Sequence, residues 1–182
     1  MRVTTEQGSE PIPSLAPQYS PQIIRASDGF AQAVYQHSIL SLRIFEAARI
    51  ATAVINGCTI CMNWRTARDA GLMGLEQTVA DHGPAPDEAF YQAVLAGRDD
   101  GLDTREALAA RYARAMGENP RGLAEDEALW SSMKQAFSDA EIVDLTYCIA
   151  AWMGLGRVAH VLGIDAACAI PAHNPKESAV HV

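Results

Sequence analysis

Residues 42–72 read LRIFEAARIATAVINGCTICMNWRTARDAGL, and the fold turns on how this stretch is parsed. Apolar residues at helical spacing run from Leu42 through Phe45, Ile50 and Val54 to Ile55. Asn56-Gly57 then breaks the helix, and Cys58 opens a second one. Two helices joined at so tight a corner fold back as a hairpin. Cys58 and Cys61 stand at i and i+3, one turn apart on one face of the second helix and close to its N-terminus. Helix amides and the positive end of the dipole favour a thiolate there, which lowers a cysteine pKa and makes the sulfur a nucleophile at neutral pH. Reflection about Gly57 sets Glu46 opposite the third turn of the cysteine helix, where Arg65 sits. The expectation is that a carboxylate, a cation and a dithiol converge.

Composition bounds the rest. A chain of 182 residues is one domain or a domain with tails, long enough to bury a core. Hydrophobic residues at 49% and charged ones at 20% match a soluble protein rather than a disordered or membrane one. The net charge of -8 and a pI near 5.0 argue against nucleic acid and anionic membrane as partners. No apolar run suggests a membrane span, and no basic segment followed by an apolar one opens the chain, so a cytoplasmic protein without a secretory signal is expected. Of four cysteines, two form Cys-x-x-Cys, which suits catalysis or metal binding better than a secreted disulfide scaffold.

Outward from the hairpin, residues 1–22 carry Pro11, Pro13, Pro17 and Pro21 and read as an extended arm. Residues 23–165 read as one helical domain and 166–182 as an irregular tail. Ser27-Asp28 is read as the cap of a helix carrying Phe30, Val34 and Tyr35, and a short helix is expected near Leu75 to Ala80. Asp87 caps a helix bearing Phe90 and Tyr91. Another starts at Thr104 and stops at Asn119-Pro120, and a further one covers Asp126 to Phe137. Ser138-Asp139-Ala140-Glu141 is a capping box that opens the longest helix, with Ile142, Leu145, Ile149, Trp152, Leu155, Ala159 and Leu162 on one stripe. Alternation of apolar and polar residues never persists long enough to make a strand, so the fold class is all-α.

An all-helical setting separates this Cys pair from thioredoxin-type motifs, which follow a strand. Glu46, Asn56-Gly57-Cys58-Thr59-Ile60-Cys61 and Trp64-Arg65 together resemble the carboxymuconolactone decarboxylase and AhpD (alkyl hydroperoxide reductase D) superfamily. Phe137 to Ile142 and Gly156-Arg157 through Leu162-Gly163-Ile164 resemble its second helical segment. The resemblance implies an AhpD-like helical bundle that assembles into homo-oligomers, commonly trimers or hexamers, with a dimer also open. No cofactor and no metal are expected. The resemblance implies that Cys61 attacks an oxidised substrate or partner, that Cys58 resolves the intermediate as a disulfide, and that Glu46 and a histidine at position 65 relay protons. Position 65 is arginine here, which stays charged far above neutral pH and so stabilises a thiolate rather than shuttling protons.

The resulting expectation is a thiol-dependent peroxidase or disulfide reductase. Arg65, one turn beyond Cys61 and paired with Glu46, holds an electropositive pocket, and Glu46, partly buried, moves the proton. Substrates would be a small peroxide or a partner disulfide, with a thiol as electron donor. Two other classes stay open: a cofactor-free lyase acting on a small carboxylated substrate, and a non-catalytic oligomeric scaffold. The Cys pair also admits a half zinc site or inert packing, though no His-x3-His completes a metal set. Glu46 and Arg65 admit a purely structural ion pair. His160, at i+3 from Arg157, reads as a core or interface histidine or a second contributor to the site, and His37 as a surface or approaching residue. Trp64 reads as a core or subunit contact with a possible substrate role, and Trp152 and Tyr147 as core or subunit contacts. Cys148 reads as a buried, unreactive thiol.

Overall fold

The computed structural model describes residues 1–4, 15, 17–75 and 77–166. The tail from 167 onward, with Cys168, His173 and His181, and most of the proline-rich arm lie outside the described residues. Within them the elements are α1 (Pro21–His37), α2 (Leu42–Asn56), α3 (Thr59–Asn63), α4 (Thr66–Asp69), α5 (Glu88–Leu95), α6 (Thr104–Glu118), α7 (Pro120–Glu125), α8 (Glu127–Ala136) and α9 (Asp139–Val161). A 3-10 turn, Val79–Asp81, stands where the sequence suggested a short helix, and another, Ala70–Met73, follows α4. No strand occurs among the described residues, and the all-α expectation holds.

α2 is the axis. A surface helix hides one stripe, whereas α2 buries Leu42, Ile44, Phe45, Ala47, Ala48, Ile50, Ala51 and Ala53 around its circumference, as a central helix must. Each fully buried side chain the size of Phe45 or Ile50 contributes about 1.5–3 kcal/mol relative to exposure. Its main partner is α6, with α9 next. Alanines buried on both α2 (Ala47, Ala48, Ala51) and α6 (Ala109, Ala110, Ala113) keep the α2–α6 contact close. α9 comes equally near the end of α2: a Cβ on Gly156 would lie 2.4 Å from Asn56 Nδ2, which itself donates to Trp152 O at 2.9 Å.

The caps follow sequence chemistry. Asp87 accepts from Phe90 N, Asp126 from Leu129 N, and Asp103 and Ser138 form capping boxes with Glu106 and Glu141. The opening of α1 differs from the sequence reading. It starts at Pro21, six residues before Ser27, because proline at the first helical turn needs no amide partner. The arm is anchored at its very start, where Arg2 N donates to Leu162 O at 2.7 Å.

α9 is long and apolar enough, by length and mean composition, to cross a membrane, although Asp144 and Arg157 interrupt its apolar run. Its packing gives another reason for that composition. Ile142, Leu145, Cys148 and Ile149 are buried in the core, while Val143, Tyr147, Val158 and Val161 face outward.

Candidate functional site

The corner of the α2–α3 hairpin builds the site. Gly57 adopts the left-handed conformation (φ 68°) that closes α2, and its N–H reaches the carbonyls of Ala53 and Val54. A Cβ there would meet the His160 ring at 3.2 Å, a second reason for glycine. The chain re-enters a helix at once, with Cys58 as the N-cap of α3. Its sulfur faces the Cys61 amide at 3.3 Å, and Cys58 and Cys61 are joined by a disulfide. Cys58 is fully buried, whereas Cys61 lines a cavity. The two sulfurs therefore differ in access.

The cysteine helix is shorter than the sequence suggests. α3 ends at Asn63, Trp64 is extended (φ -64°, ψ 136°), and Arg65 caps a separate helix, α4. The cause sits below. Arg49 donates from Nη1 to Cys61 O at 2.8 Å and from Nη2 to Trp64 O at 2.6 Å, so a buried guanidinium takes the carbonyls that end α3. Arg65 is thus not on the Cys61 helix, and it does not pair with Glu46.

Glu46 pairs with Arg49 instead. Both are buried, at 0% and 2% exposure, and the contact is bidentate: Nε to Oε1 at 2.6 Å and Nη2 to Oε2 at 2.9 Å. Thr66 Oγ1 donates to Glu46 Oε1 at 2.5 Å, and the nearby Tyr91 hydroxyl also favours the charged carboxylate. Burial pushes the Glu46 carboxyl up, but the Arg49 charge and these donors outweigh it and hold its pKa below the ordinary value. Burial and the neighbouring Glu46 charge push the Tyr91 hydroxyl well above its usual range, so Tyr91 stays a donor.

Arg65 is committed elsewhere. It bonds Glu88 (Nη2 to Oε1 3.0 Å) and Met62 O (2.7 Å), and its guanidinium lies 4.0 Å from the centre of the Tyr91 ring. It does not line the cavity beside Cys61, and Arg49 does. Arg49 is the residue sequence reasoning missed. The signal was present, a cation between the apolar Ala48 and Ile50, one turn from the one carboxylate of its helix.

The cavity holds about 270 Å³ and is walled mostly by apolar atoms from α1, α2, α3 and α9, with Tyr35, Ile60, Trp64, Trp152 and Leu155 contributing the larger surfaces. Trp64 and Trp152 therefore line it directly. His160 sits at the other side of the hairpin corner, its Nδ1 3.0 Å from Asp165 Oδ2, which also takes the Thr59 amide at 3.1 Å. Burial raises the Asp165 carboxyl, but the His160 and Thr59 contacts bring it below its ordinary value. His37 is exposed at the end of α1 and does not reach the cavity. Cys148 is buried beside Asp144, and burial followed by that charge raises its thiol pKa well above the usual range, in keeping with an unreactive group. Among the described residues, no cluster of three or more His, Cys, Asp or Glu side chains forms a metal site.

An all-helical bundle with a Cys-x-x-Cys disulfide at the corner of a hairpin, backed by a buried glutamate, defines an AhpD-like fold. The chain is similar to a crystal structure of an Agrobacterium tumefaciens protein of unknown function, described there as a candidate antioxidant-defence protein AhpD. The TM-score is 0.63 at 21% identity, over 81% of this chain and 92% of that one. No protein-family model and no curated protein matches the sequence.

Proposed function

We propose that the protein is a thiol-dependent oxidoreductase that cycles Cys58 and Cys61 between dithiol and disulfide while reducing a peroxide. The observation carrying this reading is the disulfide itself, with one sulfur sealed in the core and the other on a cavity wall. In the reduced protein the Cys61 thiolate attacks one peroxide oxygen, so that an S–O bond forms, the O–O bond breaks and an alcohol or water departs after taking up a proton. Cys58 then attacks the Cys61 sulfenic acid, forming the S–S bond and releasing water. An external thiol returns the two electrons. A partner disulfide in place of the peroxide is served by the same pair through a mixed disulfide.

Arg49 supports the cycle by fixing the Cys61 and Trp64 carbonyls, and Glu46 by fixing Arg49. This shifts Glu46 from a proton carrier to an anchor, since its carboxylate is held charged by three partners. A lyase acting on a carboxylated substrate would be served by a cationic Arg65, but Arg65 is bound to Glu88 away from the cavity. Self-association belongs to the proposed reading. The outward Val143, Tyr147, Val158 and Val161 of α9 offer an apolar strip to a second copy, with Asp139 near one end and Arg157 near the other so that an antiparallel pair sets unlike charges together.

The test is dithiol-dependent peroxide turnover by Cys61→Ser and Cys58→Ser. Cys61→Ser is expected to lose turnover completely, and Cys58→Ser to stop after one round with Cys61 oxidised, seen as a mass gain of one oxygen. Unchanged turnover in both variants rules the mechanism out.

A further inference from the structure

The helix that carries the cysteine pair is five residues long, and side chains from elsewhere in the chain hold both of its ends. At the C-terminal end Arg49 takes the Cys61 and Trp64 carbonyls, Arg65 takes Met62 O at 2.7 Å and Arg68 takes Asn63 O at 2.8 Å. Each of these guanidiniums has a carboxylate of its own, in Glu46, Glu88 and Asp69 respectively. The charge at that end is balanced.

The N-terminal end is different. Gly163 (φ 69°) closes α9, with its N–H on His160 O and the Ile164 N–H on Ala159 O, and this turn swings Asp165 back over α3. The Asp165 carboxylate, with a side-chain exposure of 4%, accepts the Thr59 N–H at 3.1 Å, and Thr59 Oγ1 donates to Asp165 O at 3.2 Å. Thr59 follows Cys58 directly and stands two residues before Cys61. The partner of Asp165 is His160, a half-exposed imidazole that is cationic only when protonated. A buried carboxylate thus occupies the amide beside the sulfurs, at the place where an open helix start would offer its hydrogen bonds to a thiolate.

We propose that Asp165 is a positioning residue for the redox pair: its charge on the Thr59 amide opposes a thiolate on α3, favours the disulfide over the reduced pair and makes the reduced protein the stronger electron donor. A disulfide carries no charge, whereas the reduced pair gains one on losing a proton. Only the reduced state therefore meets the carboxylate as a like charge. The proposal rests on the reading that Cys58 and Cys61 cycle, and it gives that cycle a direction, with electrons leaving the pair for an acceptor. An oxidant of other thiols needs the reverse arrangement, in which the reduced form is stabilised.

Two measurements test it, and neither uses a peroxide. Ultraviolet absorbance titrates the thiolates of the reduced protein. A dithiothreitol series then poises the equilibrium in which the protein S–S bond breaks, the cyclic dithiothreitol S–S bond forms and two hydrogens pass to the cysteines. Asp165→Asn keeps the shape and an oxygen for the Thr59 N–H but removes the charge. The lower thiol pKa is expected to fall by about one unit, and the equilibrium constant for reduction to rise toward about tenfold at pH 9, or about 30 mV, with the gain fading toward pH 6 as the thiols stay protonated. His160→Gln keeps both a donor to Asp165 and the Asp165 charge, and is expected to leave the thiol pKa nearly unmoved. Should Asp165→Asn not fold, Asp165→Ser takes its place with the same expectation. A thiol pKa unmoved or raised by loss of the charge, an equal fall in His160→Gln, or a gain as large at pH 6 as at pH 9 would each overturn the proposal while leaving the cysteine cycle intact. A pair that dithiothreitol does not reduce overturns both.

Discussion

Arg49 and Arg65 are two arginines that both donate to the Trp64 carbonyl and both pair with a glutamate, yet they do different work. Arg49 and Glu46 are sealed in the core with side-chain exposures of 2% and 0%, whereas Arg65 is 10% exposed and its partner Glu88 35%. The buried pair has left water altogether, so each partner is held in place by the penalty of stranding the other. The outer pair is screened by solvent on one side and is worth little more than its contacts. What locates the structural centre of this hairpin is thus the depth at which a charge is held. Adjacency in sequence to the cysteines points to Arg65, the wrong one of the two.

The contrast breaks most sharply in Arg49→Met. Removing the cation leaves Glu46 buried and uncompensated, and a loss of about 3–5 kcal/mol in unfolding free energy is expected by urea titration. The double variant Glu46→Leu/Arg49→Met is expected to recover much of that loss, since no charge is then stranded. A double variant no better than the single one would show that the guanidinium matters for its bonds to Cys61 O and Trp64 O rather than for its charge.

Much of the architecture was legible because it is written in local chemistry. Asp87 and Ser138 announce their helix starts, and Asn56-Gly57 announces its corner. The Cys58–Cys61 pair and the importance of Glu46 were equally readable. The partner of Glu46 was not. Continuing α3 past Cys61 in ideal geometry carries Arg65 toward Glu46, and only the tertiary pull of Arg49 on the Cys61 and Trp64 carbonyls, a contact across the hairpin, ends the helix first. The cavity was illegible for the same reason: Trp64 and Trp152, 88 residues apart in sequence, meet only once α9 has packed on α2.

A pH series sharpens the comparison from the side of the carboxylate. The folded Glu46 pKa lies below its ordinary value of 4.5, so the pair's contribution is fully present above that pH and is lost as the pH falls through the folded value. Glu46→Gln therefore flattens the acid limb of stability against pH. The gap between wild type and variant is expected to be widest above pH 5 and to narrow below it. A gap that stays constant down to pH 3 would mean that Glu46 titrates alike in the folded and unfolded chains.

The smallest effect belongs to Arg65→Met. Glu88 is partly solvated, so its ion pair contributes on the order of 0–1 kcal/mol, and the stack on Tyr91 adds about 0.5–1 kcal/mol. A total near 1 kcal/mol is expected by urea titration, falling further in high salt, where the Arg49→Met deficit persists because salt screens the exposed pair and not the buried one. The thiol titration of the reduced Cys pair is expected to be nearly unmoved, since Arg65 does not line the Cys61 cavity. A large rise in the Cys61 pKa in Arg65→Met would reverse the ranking of the two arginines, returning the thiolate-stabilising role to Arg65 and leaving Arg49 as the scaffold for the bend at Trp64.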